Sequence, residues 1–191
     1  RAGRFLDSIG DFFVNLSAFV AIGYVLSVVW GSVLSLALAA LGFLGITLRV
    51  SYHVYYQTSF LHLQQLYSMN RITEEIREED LLTDRLTLLL QRLFLLLYGW
   101  QDRLMVRIDM WCRGRDEHTI REQDWFADRT GLRLSGFLGL GTELFLLTVC
   151  SVMNQLTWYF CCNLGLMNGL WLVNIWYRRK VLAPRASSLQ V

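Results

Sequence analysis

The longest stretch without a charged residue runs from Phe12 to Leu48 and covers 37 residues. As one helix it would be about 55 Å long at a rise of about 1.5 Å per residue, whereas the hydrocarbon core of a bilayer is about 30 Å thick. One simple crossing is therefore excluded. Either the helix projects well beyond the bilayer, or it breaks near Gly31 and Ser32 into two arms of roughly 16 residues that form a membrane hairpin.

A second apolar block, Leu134 to Tyr177, covers 44 residues, and Glu143 is its single charged residue. It is long enough for two crossings joined by a turn. The polar residues Asn154 and Gln155 mark one possible turn, and the stretch 163–168, with an asparagine at each end, marks another. Both alternatives stay open from the sequence.

The whole chain, 1–191, is predicted to be a single all-α, multi-pass helical integral membrane domain. Its composition agrees, with 54% apolar residues and 18% charged residues against about 25% charged residues in ordinary soluble domains. The predicted segments are an apolar block 12–48, an amphipathic charged helical region 49–133, an apolar block 134–177 and a basic tail 178–191. Region 49–133 carries twelve arginines and thirteen acidic residues. This layout resembles that of reticulon-type membrane-shaping proteins.

One apolar row stands out in the charged region, with the spacing 4-3-4-3-4 that places residues on one side of a helix. We expect the part from Leu86 to Trp100 to lie in the membrane interface, or to enter the membrane if Arg92 is paired. The row consists of Leu82, Leu86, Leu89, Leu93, Leu96 and Trp100.

Small residues recur at every fourth position in three places, and such columns allow helix backbones to approach closely in lipid. The first column is expected to lie on one face of a continuous helix that docks onto a helix of this chain or of a partner. Three columns in so small a chain favour a subunit surrounded by other membrane subunits. The columns are Gly23, Ser27, Gly31, Ser35 and Ala39; Gly131, Ser135 and Gly139; and Cys161, Gly165 and Gly169.

Glu143 and Arg92 are the candidate intramembrane charges. Glu143 would serve in proton or ion transfer, pair with Arg92 or Arg133, or lie at the interface near the start of its helix. We favour the interfacial position, because the stretch 134–142 is short and rich in glycine. Arg92 is expected to extend its charge to the lipid headgroups.

The basic cluster Arg178, Arg179 and Lys180 follows the second apolar block and is joined by Arg185. Such clusters attract anionic lipid headgroups and orient a membrane protein by the positive-inside rule. We expect orientation to be the main role of the cluster and lipid binding to be an additional one.

Several functions are disfavoured by what the sequence contains. The formal charge of +2 does not suit a nucleic-acid binder, and no catalytic or phosphate-binding motif occurs, so we predict no enzyme activity. His53 and His62 would serve as haem ligands only with a partner chain, and His118 beside Glu122 lacks a metal-binding spacing. The four cysteines form no zinc pattern. We therefore predict no cofactor and no metal.

The predicted function is that of a non-catalytic subunit of a large organellar energy-transducing complex, either ATP synthase or a respiratory complex, which packs against other transmembrane subunits and lipid. The chain begins at Arg1 rather than Met, which would follow either from removal of a targeting peptide or from trimming of the chain. Removal would favour an organelle, and the predicted location is the mitochondrial inner membrane. One alternative is a reticulon-like membrane-curvature protein with hairpin wedges. Another is a proton or ion transport element that uses Glu143 and Arg92.

Overall fold

The computed structural model describes residues 2–64, 76, 84–114 and 120–188. All regular elements in these residues are helices, which confirms the predicted all-α class. Three helices are long and apolar enough to cross a membrane: Ala2–Trp30, Leu34–Leu63 and Arg129–Val152, the last including a short irregular stretch. These helices are compatible with an integral membrane protein.

The first apolar block forms a helical hairpin. Helix α1 spans Ala2–Trp30 and helix α2 spans Leu34–Leu63. Between them Gly31 adopts a φ of 62°, a left-handed conformation that glycine adopts without steric cost. The break predicted at Gly31 is confirmed, and the alternative of one long helix is wrong. The arms are 29 and 30 residues long rather than about 16, because both helices continue into charged sequence.

The break places the first small-residue column on two helices that face each other, so its predicted position on one continuous helix is wrong. Gly23 of α1 lies against α2, where a Cβ at Gly23 would meet the Ala39 Cβ at 2.7 Å. The Ser35 hydroxyl donates to the Gly23 carbonyl at 3.2 Å. The column thus closes the hairpin from within and does not form an outward docking face.

Helix α3 spans Arg85–Arg113 and lies across the other helices near the end of the hairpin that is far from Gly31. The Phe94 ring contacts Phe5 of α1 at 5.4 Å. Further along α3, Asp109 accepts a hydrogen bond from Tyr56 of α2. Two short helices follow, α4 at Glu122–Phe126 and α5 at Arg129–Gly136.

The second apolar block also folds back on itself. Helix α6 spans Leu140–Val152 and ends in a turn at which Asn154 has a φ of 55°, so the first of the two predicted turns is the one formed. We call the helical run 156–188 the C-terminal helix. It comprises α7 (Leu156–Phe160), a π-helical stretch (Cys161–Met167), α8 (Asn168–Tyr177), a second π-helical stretch (Arg178–Leu182) and α9 (Ala183–Ser188).

The C-terminal helix runs in the same direction as α2 and packs along it. Successive contacts join Arg49 to Asn168 and Tyr52 to Asn174, while the Arg178 guanidinium lies over the Tyr56 ring. The described part of the basic tail, residues 178–188, continues this helix, and its Leu182, Ala183 and Ala186 are buried in the hydrophobic core.

Candidate functional site

Arg49 and Glu143 form a buried ion pair between α2 and α6. The Arg49 Nη2 donates to Glu143 Oε2 at 2.9 Å, and the side chains of Arg49 and Glu143 are only 1% and 2% exposed. Tyr159 donates its hydroxyl to Glu143 Oε1 at 2.9 Å, and the Asn163 amide also donates to Oε1. Each oxygen of the carboxylate therefore has at least one donor within the fold.

The Arg49 guanidinium also donates hydrogen bonds to two residues of the C-terminal helix. Its Nη1 donates to the Asn163 backbone carbonyl at 3.1 Å and to the Asn168 side-chain oxygen at 2.5 Å. We call Arg49, Glu143, Tyr159, Asn163 and Asn168 the Arg49–Glu143 network. It joins α2 to α6 and the C-terminal helix, over sequence separations of 94 residues to Glu143 and 119 residues to Asn168.

Glycines and a π-helical stretch provide the space for this network. A Cβ at Gly45 would lie 2.9 Å from Arg49 Nη1, and a Cβ at Gly42 would lie 3.0 Å from the Asn163 side-chain oxygen. Asn163 belongs to the π-helical stretch Cys161–Met167, a type of distortion that often occurs at functional positions in helices. Side chains at positions 42 and 45 would push the guanidinium and the asparagine away from the carboxylate.

The network lies close to one end of the apolar part of the hairpin. Arg49 follows Gly31 by 18 residues, a distance of about 27 Å along α2, close to the thickness of about 30 Å of a hydrocarbon core. Glu143 lies in the first turn of α6, where the helix dipole favours a carboxylate. The geometry suits a structural ion pair that fixes three helices, since both charges are already neutralised by groups of the chain itself.

A second buried polar cluster centres on Asp109 of α3. Its Oδ1 accepts hydrogen bonds from the Tyr56 hydroxyl at 2.8 Å and from the Trp125 indole at 2.7 Å. Its Oδ2 accepts from Arg113 at 2.9 Å. The Arg178 guanidinium lies 3.5 Å from the centre of the Tyr56 ring, in a cation–π contact. This Asp109 cluster fixes the transverse helix α3 to α2, α4 and the C-terminal helix.

Burial in this region also affects Cys112 of α3, which is 1% exposed. Desolvation, and to a smaller extent the charge of Asp109, raise the pKa of its thiol to about 12. Cys112 is therefore protonated near neutral pH and behaves as a small apolar side chain.

The structure separates the predicted intramembrane charges. Glu143 pairs with Arg49, so its predicted pairing with Arg92 or Arg133 is wrong. Arg92 lies on the exposed side of α3, and Arg133 on the exposed side of α5. A transport element that uses Glu143 and Arg92 together does not fit this arrangement.

The predicted lipid-headgroup cluster is also divided. Arg178 is 0% exposed, so its predicted contact with headgroups is wrong. Arg179 is partly buried and stacks on the Trp111 ring at 3.5 Å, and Lys180 is exposed. The C-terminal helix turns these three consecutive residues in different directions, which their adjacency in sequence does not reveal.

The other two small-residue columns differ in their surroundings. Gly131 and Ser135 are buried, and a Cβ at Gly131 would lie 3.0 Å from Arg178 Nη2. Gly139 lies against the His53 ring. By contrast, Gly165 and Gly169 have no atom within 4 Å of a Cβ position among the described residues. The third column therefore forms an open face.

Histidines and acidic residues form no metal site in the part of the chain that the structure describes, where no three possible ligand side chains come together. His53 and His62 are both partly buried on α2. His118 lies outside the described residues, as does Leu82 of the apolar row.

Sequence reasoning missed Arg49 and Asp109 as buried partners. Arg49 is the first charge after the charge-free block, and Glu143 is the single charge in the other block. Two lone charges of opposite sign, each at or inside an apolar block, are a signal for a pair, because an unpaired charge there would be costly. Asp109 gives no comparable signal, since it is one of many charges in region 49–133.

Comparison of the chain with protein-family models, with curated proteins and with solved structures gives no match.

Proposed function

We propose that the protein is a non-catalytic structural subunit of a membrane complex that docks neighbouring subunits through exposed helix faces. The observation that carries this proposal is an outward row of large apolar residues on α3, which we call the leucine seam. The exposed fractions of these side chains range from 40% to 74%. The seam consists of Leu86, Leu89, Leu93, Leu96 and Trp100.

The seam lies on the side of α3 opposite to its contacts with the rest of the chain. The buried side of α3 is polar in part, with Gln91, Gln101 and Asp109 turned inward. Because α3 is not among the helices that are apolar enough to cross a membrane by composition, its exposed leucines do not belong to a predicted crossing. An apolar area of this kind marks an interaction site on a protein surface.

The spacing of the seam fits a helical partner. Its 3-4-3-4 pattern is that of the contact positions in helices that pack side by side. Arg85 and Arg92 are exposed and occupy flanking positions of this pattern, where they would attract acidic side chains on the neighbouring helix. We therefore assign to the seam an amphipathic partner helix with acidic flanks.

A second docking face is offered by the C-terminal helix. Cys161 and Gly165 are exposed, and Gly169 has open space at its Cβ position. Trp158 and Trp176, 64% and 59% exposed, lie near the two ends of this small-residue column. A groove of small residues allows close approach of a transmembrane helix of another subunit.

The class of complex that we propose is an energy-transducing assembly of the mitochondrial inner membrane, ATP synthase or a respiratory complex. Its support is the combination of two outward helix faces with a sequence that carries no catalytic motif. The Arg49–Glu143 network supports a structural role, because its two charges are buried and pair with each other within the chain.

The test begins with extraction of the native membrane in mild detergent, native electrophoresis and mass spectrometry of the co-migrating proteins. We expect co-migration with a complete set of ATP synthase or respiratory subunits. The double variant Leu89→Ser/Leu96→Ser should lower incorporation into the complex at least tenfold, whereas Glu122→Ser, at an exposed position of α4, should leave it unchanged. Migration as a homo-oligomer, with tubulation of liposomes by the pure protein, would instead support a reticulon-like curvature function.

A further inference from the structure

A cleft of about 330 Å³ lies between α1, α2 and α3. It is separate from the Arg49–Glu143 network and from the leucine seam. Its size falls within the range of small-molecule sites in proteins, which begins at about 300 Å³. The walls change from apolar to charged along the helix axes, and this gradient is the basis of the inference.

The deep end of the cleft is mainly apolar and has no charged residue in its lining, with Asn15 and Thr47 as the polar residues there. Phe12 of α1, Phe43 and Ile46 of α2 and Leu140 of α6 line it there. The lining of α2 extends from Phe43 to Thr58, fifteen residues or about 22 Å. Phe43 lies about 18 Å along α2 from Gly31, and Thr58 about 40 Å. If α1 and α2 cross a bilayer whose core is about 30 Å thick, the cleft begins within the hydrocarbon and ends among the headgroups.

The outer part of the cleft carries charges of both signs. Arg4 and Asp11 of α1 and Asp102 of α3 line it, together with hydroxyl groups such as that of Ser8. A guanidinium is a strong donor to phosphate oxygens, and carboxylates accept hydrogen bonds from a primary ammonium group. A headgroup that carries only negative charge would face two carboxylates, and a choline headgroup has no N–H to donate.

We propose that this cleft binds phosphatidylethanolamine. The phosphate faces Arg4, the ammonium group faces Asp11 and Asp102, and the first part of an acyl chain lies along Phe12, Phe43 and Ile46. The volume accommodates the headgroup and glycerol, so the acyl chains continue along the outer surface of the hairpin. This site does not depend on the proposed partner subunits.

The experiment uses the full chain, purified in detergent and freed of native lipid, in native mass spectrometry with equimolar phosphatidylethanolamine, phosphatidylglycerol and phosphatidylcholine. We expect one phosphatidylethanolamine molecule to be retained in preference to the other two lipids. Asp11→Asn should weaken its binding about tenfold, the effect of one lost charge-assisted hydrogen bond. The matched control is Asp7→Asn, one helical turn away, exposed and outside the cleft, which should change binding less than twofold.

Two further arms distinguish lipid from a soluble ligand. Free phosphoethanolamine in excess should not displace the lipid, because it lacks the chain that occupies the apolar end. Val54→Trp, which places a bulky side chain at a half-exposed lining position, should abolish retention. The proposal would be overturned by any of four results. These are a preference for phosphatidylglycerol, equal effects of the Asp7 and Asp11 variants, displacement of the lipid by phosphoethanolamine, and unchanged lipid retention in Val54→Trp.

Discussion

Replacing Glu143 with glutamine tests whether the Arg49–Glu143 network holds the fold together. Glutamine keeps the size of the side chain and can still accept hydrogen bonds from Tyr159 and Asn163, but it leaves the buried Arg49 without a counter-charge. Arg49 is fully buried and retains two neutral acceptors, on Asn163 and Asn168. Removing one partner of a buried ion pair costs about 3–5 kcal/mol.

The free energy of unfolding is measured by titrating the protein from mild detergent into SDS and following the fluorescence of its seven tryptophans. We expect Glu143→Gln to lower it by about 3 kcal/mol or more. Arg49→Gln should have a loss of similar size, because Glu143 then keeps only Tyr159 and Asn163. The double variant Arg49→Gln/Glu143→Gln should lose less than the sum of the single variants by about 1–3 kcal/mol, the coupling of residues in one network.

Glu122→Gln is the matched control, since Glu122 is exposed on α4 and such substitutions change stability by about 0.5 kcal/mol at most. If Glu143→Gln were as stable as the wild type to within about 0.5 kcal/mol, the structural role assigned to the pair would be wrong. Strict additivity of the two single variants would contradict the pairing itself.

Two further predictions concern packing and burial. Gly23→Ala should lower the free energy of unfolding by about 1–3 kcal/mol by overpacking, because the new Cβ would lie 2.7 Å from the Ala39 Cβ. Gly10→Ala on the same helix has open space at its Cβ and should not lower it. SDS titration of both variants measures the difference. Iodoacetamide at pH 8 should alkylate Cys112 at least a hundredfold more slowly in the folded protein than in SDS, because burial raises the pKa of this thiol to about 12; equal rates, measured by mass spectrometry, would show that α3 is not packed as described.

The hairpin was predictable because its signals are local. A charge-free run too long for one crossing and a Gly31–Ser32 pair in its middle made a break at this position one of the two predicted arrangements. The turn at Asn154 was one of two predicted positions. The stretch 163–168 looked equally polar, but there the asparagines turn inward and serve as partners of Arg49 and Glu143.

The wrong predictions concern residues whose partners and burial depend on contacts between segments that are distant in sequence. Arg49 and Glu143 are 94 positions apart, and periodicity within a segment cannot reveal a pair at that separation. Arg178 was expected at the surface with Arg179 and Lys180, yet the direction of each side chain on the C-terminal helix depends on its packing against α2 and α4. The spacing of the first small-residue column places its members on one face only of a continuous helix, and the break at Gly31 divides them between α1 and α2.

The central claim, that the leucine seam docks a helix of another subunit, is tested most directly by a photo-crosslinking amino acid at position 93 of the protein in its native membrane. We predict one dominant crosslinked protein, an integral subunit of the same complex, with an acidic helix at the crosslinked position. The same crosslinker at position 122, which is exposed on α4, should not give this product. Crosslinks only to lipid, or only to a second copy of the chain, would contradict the claim.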